Sequence, residues 1–453
     1  MISTLEVTAE STSEPLPGRA SRQVWRIVRD RELWLTAISV GDQAIVAGTS
    51  FATSLMVGRF GSKADLGLYF LIYSLVFLAR GIQEQLISAP YYVYAPRRLG
   101  PERARYTGSV LVHQATFSAL ALLAFAMGWV ACNLMGAPPG MLRCLLVASV
   151  TLPWILLREC VRQFAMAHLE VVFATLLDLL VGMLQVAILL GLLLDGADTP
   201  FSAILAMGLA SAVGCAVWWA GRQPQLAFAA GEIRNDWLVN WSFGRWALAS
   251  HLLGIAAPQL LPWILAASQG AEATGSFVSA MTLVGISSML ATGIGNYFSP
   301  RAAHAYARGG VLELTSVLKR MALLLSLLLG GLCLVVFVTG DLLVVLAFGS
   351  DYAGVGPLLA LLMVNALGVS LGSVAGCGLW ALERPQAGFA ADCIKLIAMC
   401  FAALVMVPLW GTMGAGWAML LGTILGGILR GFTLRLRLSE LASRTDMPGE
   451  RHA

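Results

Sequence analysis

The chain has 453 residues, of which 58% are hydrophobic and only 12% charged, with a net charge of +4 and a mean hydropathy of +0.79. A soluble domain carries about 25% charged residues, so this composition excludes one and assigns the chain to integral membrane proteins. The eight cysteines all lie in apolar stretches with no CxxC or Cys/His cluster, which argues against a metal site or disulfide framework and for no cofactor.

The tail before the first span includes "TAESTSEPLPGRAS" (residues 8–21), whose Ser, Thr, Glu and Pro content predicts disorder and which lacks the apolar core of a signal peptide. Next, "RQVWRIVRDRELW" sets Arg22, Arg26, Arg29 and Arg31 beside Trp25, Ile27, Val28 and Trp34, suited either to a basic helix in the headgroup region or to a cytoplasmic lead-in to the first span. A spanning helix needs about 20 mostly apolar residues. Cutting at polar, Gly and Pro breaks gives about twelve spans: 33–57, 65–88, 109–134, 142–166, 170–194, 200–220, 243–268, 275–299, 319–347, 355–381, 389–410 and 413–434.

Alternate connections carry the basic residues, among them Arg97, Arg98, Arg103 and Arg105, then Arg222 and Arg234, then Arg301, Arg308, Lys319 and Arg320. The opposite loops offer little beyond Arg59, Lys63 and Arg143, so both termini are expected to be cytoplasmic. Those outer loops are short ("DGADTP", "SQGAEATG", "GTMG") and leave no room for a catalytic domain, which argues against a membrane-bound synthase or ligase. "GRFGSKADLG" lacks the residue order of a phosphate loop and reads as a turn; nothing points to a nucleic acid.

A weak internal repeat divides the chain. "WLTAIS" at Trp34, "ADLGLYFLIYSL" and Pro90 with "YYVYAPRR" are answered about 210 residues later by "WALAS" at Trp246, "AEATGSFVSAMTL" and Pro300 with "RAAHAYAR". The expected organisation is a cytoplasmic tail with a basic amphipathic segment (1–32), an N-terminal six-helix lobe (33–220), a cytoplasmic linker (221–242), a C-terminal six-helix lobe (243–434) and a cytoplasmic C-terminal tail (435–453). Six helices per lobe keep both lobes in one orientation, with a pseudo-twofold axis along the membrane normal and a central cavity between them.

The first span with its "DQ", followed by "GTSFATSLMVGRFGSKADLGLYFLIYSLVFLARGIQEQLISAPYYVYAPRR", resembles the polysaccharide flippases of the multidrug/oligosaccharidyl-lipid/polysaccharide exporter superfamily. The resemblance implies a non-enzymatic flippase of the bacterial plasma membrane. Its partner would be a lipid-linked (polyprenyl diphosphate) oligosaccharide, moved to the outer leaflet by alternating access for surface polysaccharide export. The multidrug branch of the same superfamily supplies the alternative, a cation-coupled antiporter of small organic cations.

Buried polar residues are the site candidates. Thr36, Ser39, Asp42, Val46, Thr49 and Thr53 recur every three or four residues and form one stripe of the first span, next to Gln43. At 1.5 Å per residue from Leu33, Asp42 lies about 13 Å deep, where a carboxylate is either a tether to a neighbouring helix or a functional group. The second span aligns Tyr69, Tyr73, Arg80 and Glu84, and Arg80 and Glu84 can pair at i, i+4. "LLRECVRQF" places Arg158, Glu159, Arg162 and Gln163 at the inner end of the fourth span, where snorkelling would account for Arg162. Thr175, Asp178 and Gln185 share a stripe of the fifth span, and Asp392 and Lys395 can pair on the eleventh. Arg80, Arg158 and Lys395 are therefore the expected contacts to an anionic headgroup; Asp42 and Asp178 are the acids of the cavity and the candidate carriers of H+ or Na+ as coupling ion. Gly368, Gly372 and Gly376, with Gly422, Gly426, Gly427 and Gly431, are expected to let helices approach closely, and Pro258 and Pro262 to bend the seventh span.

Overall fold

The computed structural model describes residues 19–221, 227–382 and 384–445. All regular structure among them is helical: α1 Arg19–Phe60, α2 Lys63–Gln83, a π-helical turn Glu84–Ser88, α3 Ala89–Tyr94, α4 Gly100–Leu134, α5 Pro139–Ala167, α6 Val171–Leu194, α7 Thr199–Gly221, α8 Ala230–Phe348, α9 Gly356–Ala381 and α10 Pro385–Thr445, with two short 3-10 turns. Both long helices are broken at glycines with positive φ, a backbone region that side chains disfavour. Gly270 (φ 84°) and the pair Gly309 and Gly310 divide α8 into 230–269, 271–308 and 311–348, and Gly411 (φ 55°) divides α10 into 385–410 and 412–445. Nine stretches of the described residues are long and apolar enough to cross a membrane. The apolar part of α1 and the helices separated at Gly270 and Gly411 complete the set of twelve.

The helices extend beyond the apolar spans at several ends. The helix that carries the seventh span begins at Ala230, inside the expected linker segment, and α4 begins at Gly100. Pro258 and Pro262 keep helical backbone angles, and Gly270 separates the seventh helix from the eighth. The basic segment and the first span form one uninterrupted helix from Arg19. The tail up to Gly18, Arg222, the last eight residues, and the side chains of Trp34, Thr36, Ser39, Trp246 and Pro300 lie outside the described residues. "GRFGSKADLG" is the turn between α1 and α2: the Ser62 amide donates to Asp65 Oδ2 (2.8 Å) and the Asp65 amide to Ser62 Oγ (3.2 Å), a reciprocal cap that starts α2.

Helices α1 to α7 pack together, as do the segments of α8 with α9 and α10, and α2 against α8 is the principal seam between the two groups. Near the α1–α2 turn this seam is backbone against backbone. A Cβ added at Gly67 would collide with the carbonyl oxygen of Ala271, and one added at Gly275 with that of Lys63. Gly275 stands 208 positions after Gly67, as Ala271 stands 208 after Lys63, so the two repeats meet through equivalent atoms and the contact sits on their pseudo-twofold axis. Farther along the seam, Trp263 Nε1 donates to Ser74 Oγ (2.9 Å).

Apolar packing follows the same division. At the end of the molecule that holds the α1–α2 turn one core joins both groups, with Val57, Tyr69 and Ile72 packed alongside Leu261, Phe277 and Phe348. At the opposite end there are two cores, one around Tyr91, Tyr106 and Phe164, against which Trp237 and Leu248 of α8 also pack, and the other around Leu314, Leu318 and Leu379. The remaining large apolar side chains, such as Leu334, Phe337 and Phe401, point outward, the expected disposition for helices bathed in hydrocarbon.

Candidate functional site

The polar stripes of α1 and α6 face each other. Gln185 Nε2 donates to Thr53 Oγ1 (2.9 Å), and Gly182 leaves room for the Thr49 hydroxyl, which a Cβ there would crowd to 2.5 Å. Farther from the α1–α2 turn the stripes supply Asp42 and Asp178, both completely buried, and α5 lays two arginines between them.

Arg162 is the centre of this cluster. Its Nη2 donates to Asp42 Oδ2 (2.7 Å), its Nε to Asp178 Oδ2 (2.5 Å) and its Nη1 lies 3.3 Å from Glu159 Oε1. Arg158 is bonded to Asp178 Oδ1 through Nη2 and reaches Glu159 Oε2 at 3.4 Å. Arg80, from α2, donates from Nη2 to Glu159 Oε2 (2.7 Å), and Gln163 Nε2 donates to Glu159 Oε1 (3.1 Å). Three guanidinium groups and three carboxylates are thus interleaved within the membrane. Each charge meets an opposite one, which offsets a burial cost that would be several kcal/mol for an isolated ion.

This arrangement joins Asp42, Arg80, Arg158 and Asp178, as the stripes suggested, and corrects several pairings. Arg80 does not pair with Glu84: its guanidinium turns across to α5, while Glu84 is exposed at the start of the π-helical turn. Gln43, one position from Asp42, points away from the cluster and is exposed. Arg162 does not snorkel; it and Glu159 are the members that sequence reasoning left off the site. Their crowding in "LLRECVRQF" was the available signal, and only the fold supplies the partners 120 and 79 positions away.

Beside the cluster lies a cavity of about 60 Å³, lined by Tyr69, Tyr73, Arg80, Arg158, Asp178 and Gln185. Tyr69 and Tyr73 stack with ring centroids 5.7 Å apart. The space admits a few waters and no sugar. Arg80 stands at the rim, half-buried, with its Nε lacking a hydrogen-bond partner.

The second lobe has a cavity at the corresponding place. The first cavity is drawn from α1, α2, α5, α6 and α7; the second is drawn from the first two segments of α8, α9 and both segments of α10. Each therefore uses the first, second, fourth, fifth and sixth helices of its lobe and omits the third. The second is ten times larger, about 610 Å³, and its polar lining includes Ser287, Thr292, Asn365, Ser370, Ser373 and Lys395. Lys395 does not pair with Asp392, whose carboxylate is bonded instead to Arg430. The glycine pattern bears on this lysine directly. At Gly422 a Cβ would stand 2.8 Å from the Lys395 carbonyl oxygen and at Gly426 2.9 Å from its Cβ, so the bare face of the last helix lets α10 fold back tightly against Lys395.

The fold and its paired cavities define a polytopic membrane protein built as two facing six-helix bundles. No protein-family model and no curated protein matches the chain. Solved structures do. An inward-facing multidrug resistance MATE family transporter of the MOP superfamily superposes with a TM-score of 0.72 at 14% identity, covering 88% of this chain and 96% of that one. The lipid II flippase MurJ in an inward closed conformation gives 0.71 at 12% identity over 92% and 94%. A MOP superfamily transporter from Pyrococcus furiosus, described as having a binding pocket of reverse polarity, gives 0.61 at 15% identity over 90% and 96%. The chain has the MOP transporter fold, shared by multidrug exporters and a lipid-linked flippase, and its structural neighbours are transporters and not enzymes.

Proposed function

We propose that this protein is a flippase that carries a lipid-linked (polyprenyl diphosphate) oligosaccharide from the cytoplasmic to the outer leaflet of a bacterial plasma membrane, by alternating access between its lobes and without covalent chemistry. One observation carries the choice of cargo over the cation-antiporter alternative. Asp42, Glu159, Asp178 and Asp392 are all engaged by arginines, so none of these four offers the uncompensated carboxylate that an organic cation requires. Arg80, by contrast, is only half-buried at the cavity rim and is held by Glu159 through one nitrogen, which leaves guanidinium N–H groups to meet a phosphate oxygen. MurJ, described as a lipid II flippase, is a precedent for this kind of cargo on this fold.

In this reading the core that joins both groups closes the path to the outside, and the lobes part at the opposite end, which requires release of the contacts that the start of α8 makes there with the first lobe, among them Arg98 with Asp236 and Tyr106 with Asn240. The charge cluster holds α1, α2, α5 and α6 as one rigid body during that movement.

The test is reconstitution into liposomes with a fluorescent lipid-diphosphate-linked oligosaccharide, scoring its transfer between leaflets. Wild type should transfer it, and Arg80→Ala should transfer less at equal protein level. Folded wild type that transfers none, yet takes up organic cations under a pH gradient, would replace the flippase with the antiporter.

A further inference from the structure

The two equivalent cavities differ in charge balance, and this difference has a chemical meaning. In the first lobe every guanidinium in the cavity wall already faces a carboxylate. In the second, Lys395 has no hydrogen bond or ion pair among the described residues, because Arg430 has taken its neighbour Asp392. An ammonium group left without an anion in the interior of a helix bundle is costly unless water or a ligand completes it.

Its surroundings are built for a ligand rather than for apolar packing. Asn365, with only 3% of its surface exposed, lines the same cavity with its Oδ1 lacking a hydrogen-bond partner. Ser287, Thr292, Ser370 and Ser373 add hydroxyls to the wall. Each of these hydroxyls donates to a carbonyl one turn back on its own helix (2.6 to 2.8 Å), which leaves its oxygen lone pairs free to accept. The wall therefore offers one cation, an unmet amide oxygen and several hydroxyl acceptors. Hydroxyl acceptors match a ligand rich in O–H donors, and the cation matches a single negative charge. A volume of about 610 Å³ lies within the range of small-molecule sites and holds one or two sugar rings.

We infer that the second-lobe cavity is a binding site for an acidic sugar, with Lys395 neutralising its anionic group and Asn365 accepting from a ring hydroxyl. The inference rests on the flippase reading only in taking that sugar to be part of the cargo; the site itself is defined by its own residues. It places sugar selection in the second lobe, apart from the diphosphate contact at Arg80. The close approach of Gly422 and Gly426 fixes the backbone that carries Lys395, so the lysine is anchored on a packed helix rather than on a flexible loop.

The experiment is saturation-transfer NMR on the full chain in nanodiscs, titrating glucuronic acid, glucose 6-phosphate and glucose. Wild type should bind at least one acid about tenfold more tightly than glucose, the size of a charge-assisted contact, and the stronger of the two acids identifies carboxylate or phosphate as the preferred anion. Lys395→Gln should reduce acid binding to the level of glucose, while Lys395→Arg should retain most of it. Equal binding of acid and neutral sugar by wild type, or an unchanged preference in a folded Lys395→Gln variant, would overturn the inference. Liposome transfer with acidic and neutral oligosaccharides on the same lipid diphosphate separates the two claims. A wild type that binds acidic sugar but transfers neither cargo defeats the flippase and leaves the site standing; transfer of both at equal rates by wild type and Lys395→Gln, with no binding preference, does the reverse.

Discussion

Replacing Arg162 with methionine keeps the aliphatic stem and removes the one group that touches all three carboxylates of the first-lobe cluster. Asp178 retains Arg158 and Glu159 retains Arg80, so the damage concentrates on Asp42, which is fully buried and has no other ionic partner there. Its second oxygen, Oδ1, already lacks a hydrogen bond. Breaking a buried pair in this way costs about 3–5 kcal/mol, because it leaves a carboxylate stranded in the interior in addition to removing the attraction itself. The double variant Arg162→Met/Asp42→Asn removes the stranded charge and should recover about 2 kcal/mol of that cost, a coupling within the range for residues in one network. Denaturant unfolding of the wild type, the two single variants and the double variant in lipid-detergent micelles measures it. A single Arg162→Met variant within about 1 kcal/mol of wild type, or a double variant whose destabilisation equals the sum of the singles, would refute the claim that the cluster is held by charge pairing.

Two further outcomes follow from the same geometry. Gly67→Val places a branched side chain where the Ala271 carbonyl now sits, so it should part the seam; the measurement is increased labelling of a cysteine introduced at Ser276 by a membrane-impermeant maleimide, with little change expected for Gly41→Val, whose surroundings are open. Gln43→Ala should leave both stability and liposome transfer within about 0.5 kcal/mol of wild type, since an exposed side chain outside the cluster contributes little; a large drop in transfer would return Gln43 to the site.

The sequence was most informative where a physical regularity is local. Helical period alone put Asp42, Thr49 and Thr53 on one face and Asp178 and Gln185 on another, and these faces do meet. The two copies of the repeat touch at Gly67 and Gly275, a contact that the repeat itself did not announce and that only the packing of α2 against α8 reveals. Charge pairing was the weakest part. Arg80 with Glu84 and Asp392 with Lys395 are the partners that spacing along one helix favours, but in a packed bundle a guanidinium can reach across to another helix, and Glu159 and Arg430 won. Helix ends near water were misjudged for a related reason: hydropathy marks where apolar residues stop, whereas the helical hydrogen-bond ladder of α4 and of the first segment of α8 continues into polar sequence. The unpaired state of Lys395 was invisible for the same cause, because it depends on where Arg430 sits.

The charge cluster has an electrical consequence. With all six groups ionised it carries three positive and three negative charges, and it moves with its lobe as one piece. A charge displaced across the whole membrane potential does work of about 2.3 kcal/mol per 100 mV, but a neutral assembly displaced as a unit does almost none. Rocking the cluster is therefore electrically silent. Lys395 has no such compensation, so a cargo whose charge cancels that lysine would let its helix swing through the field as freely as the cluster does.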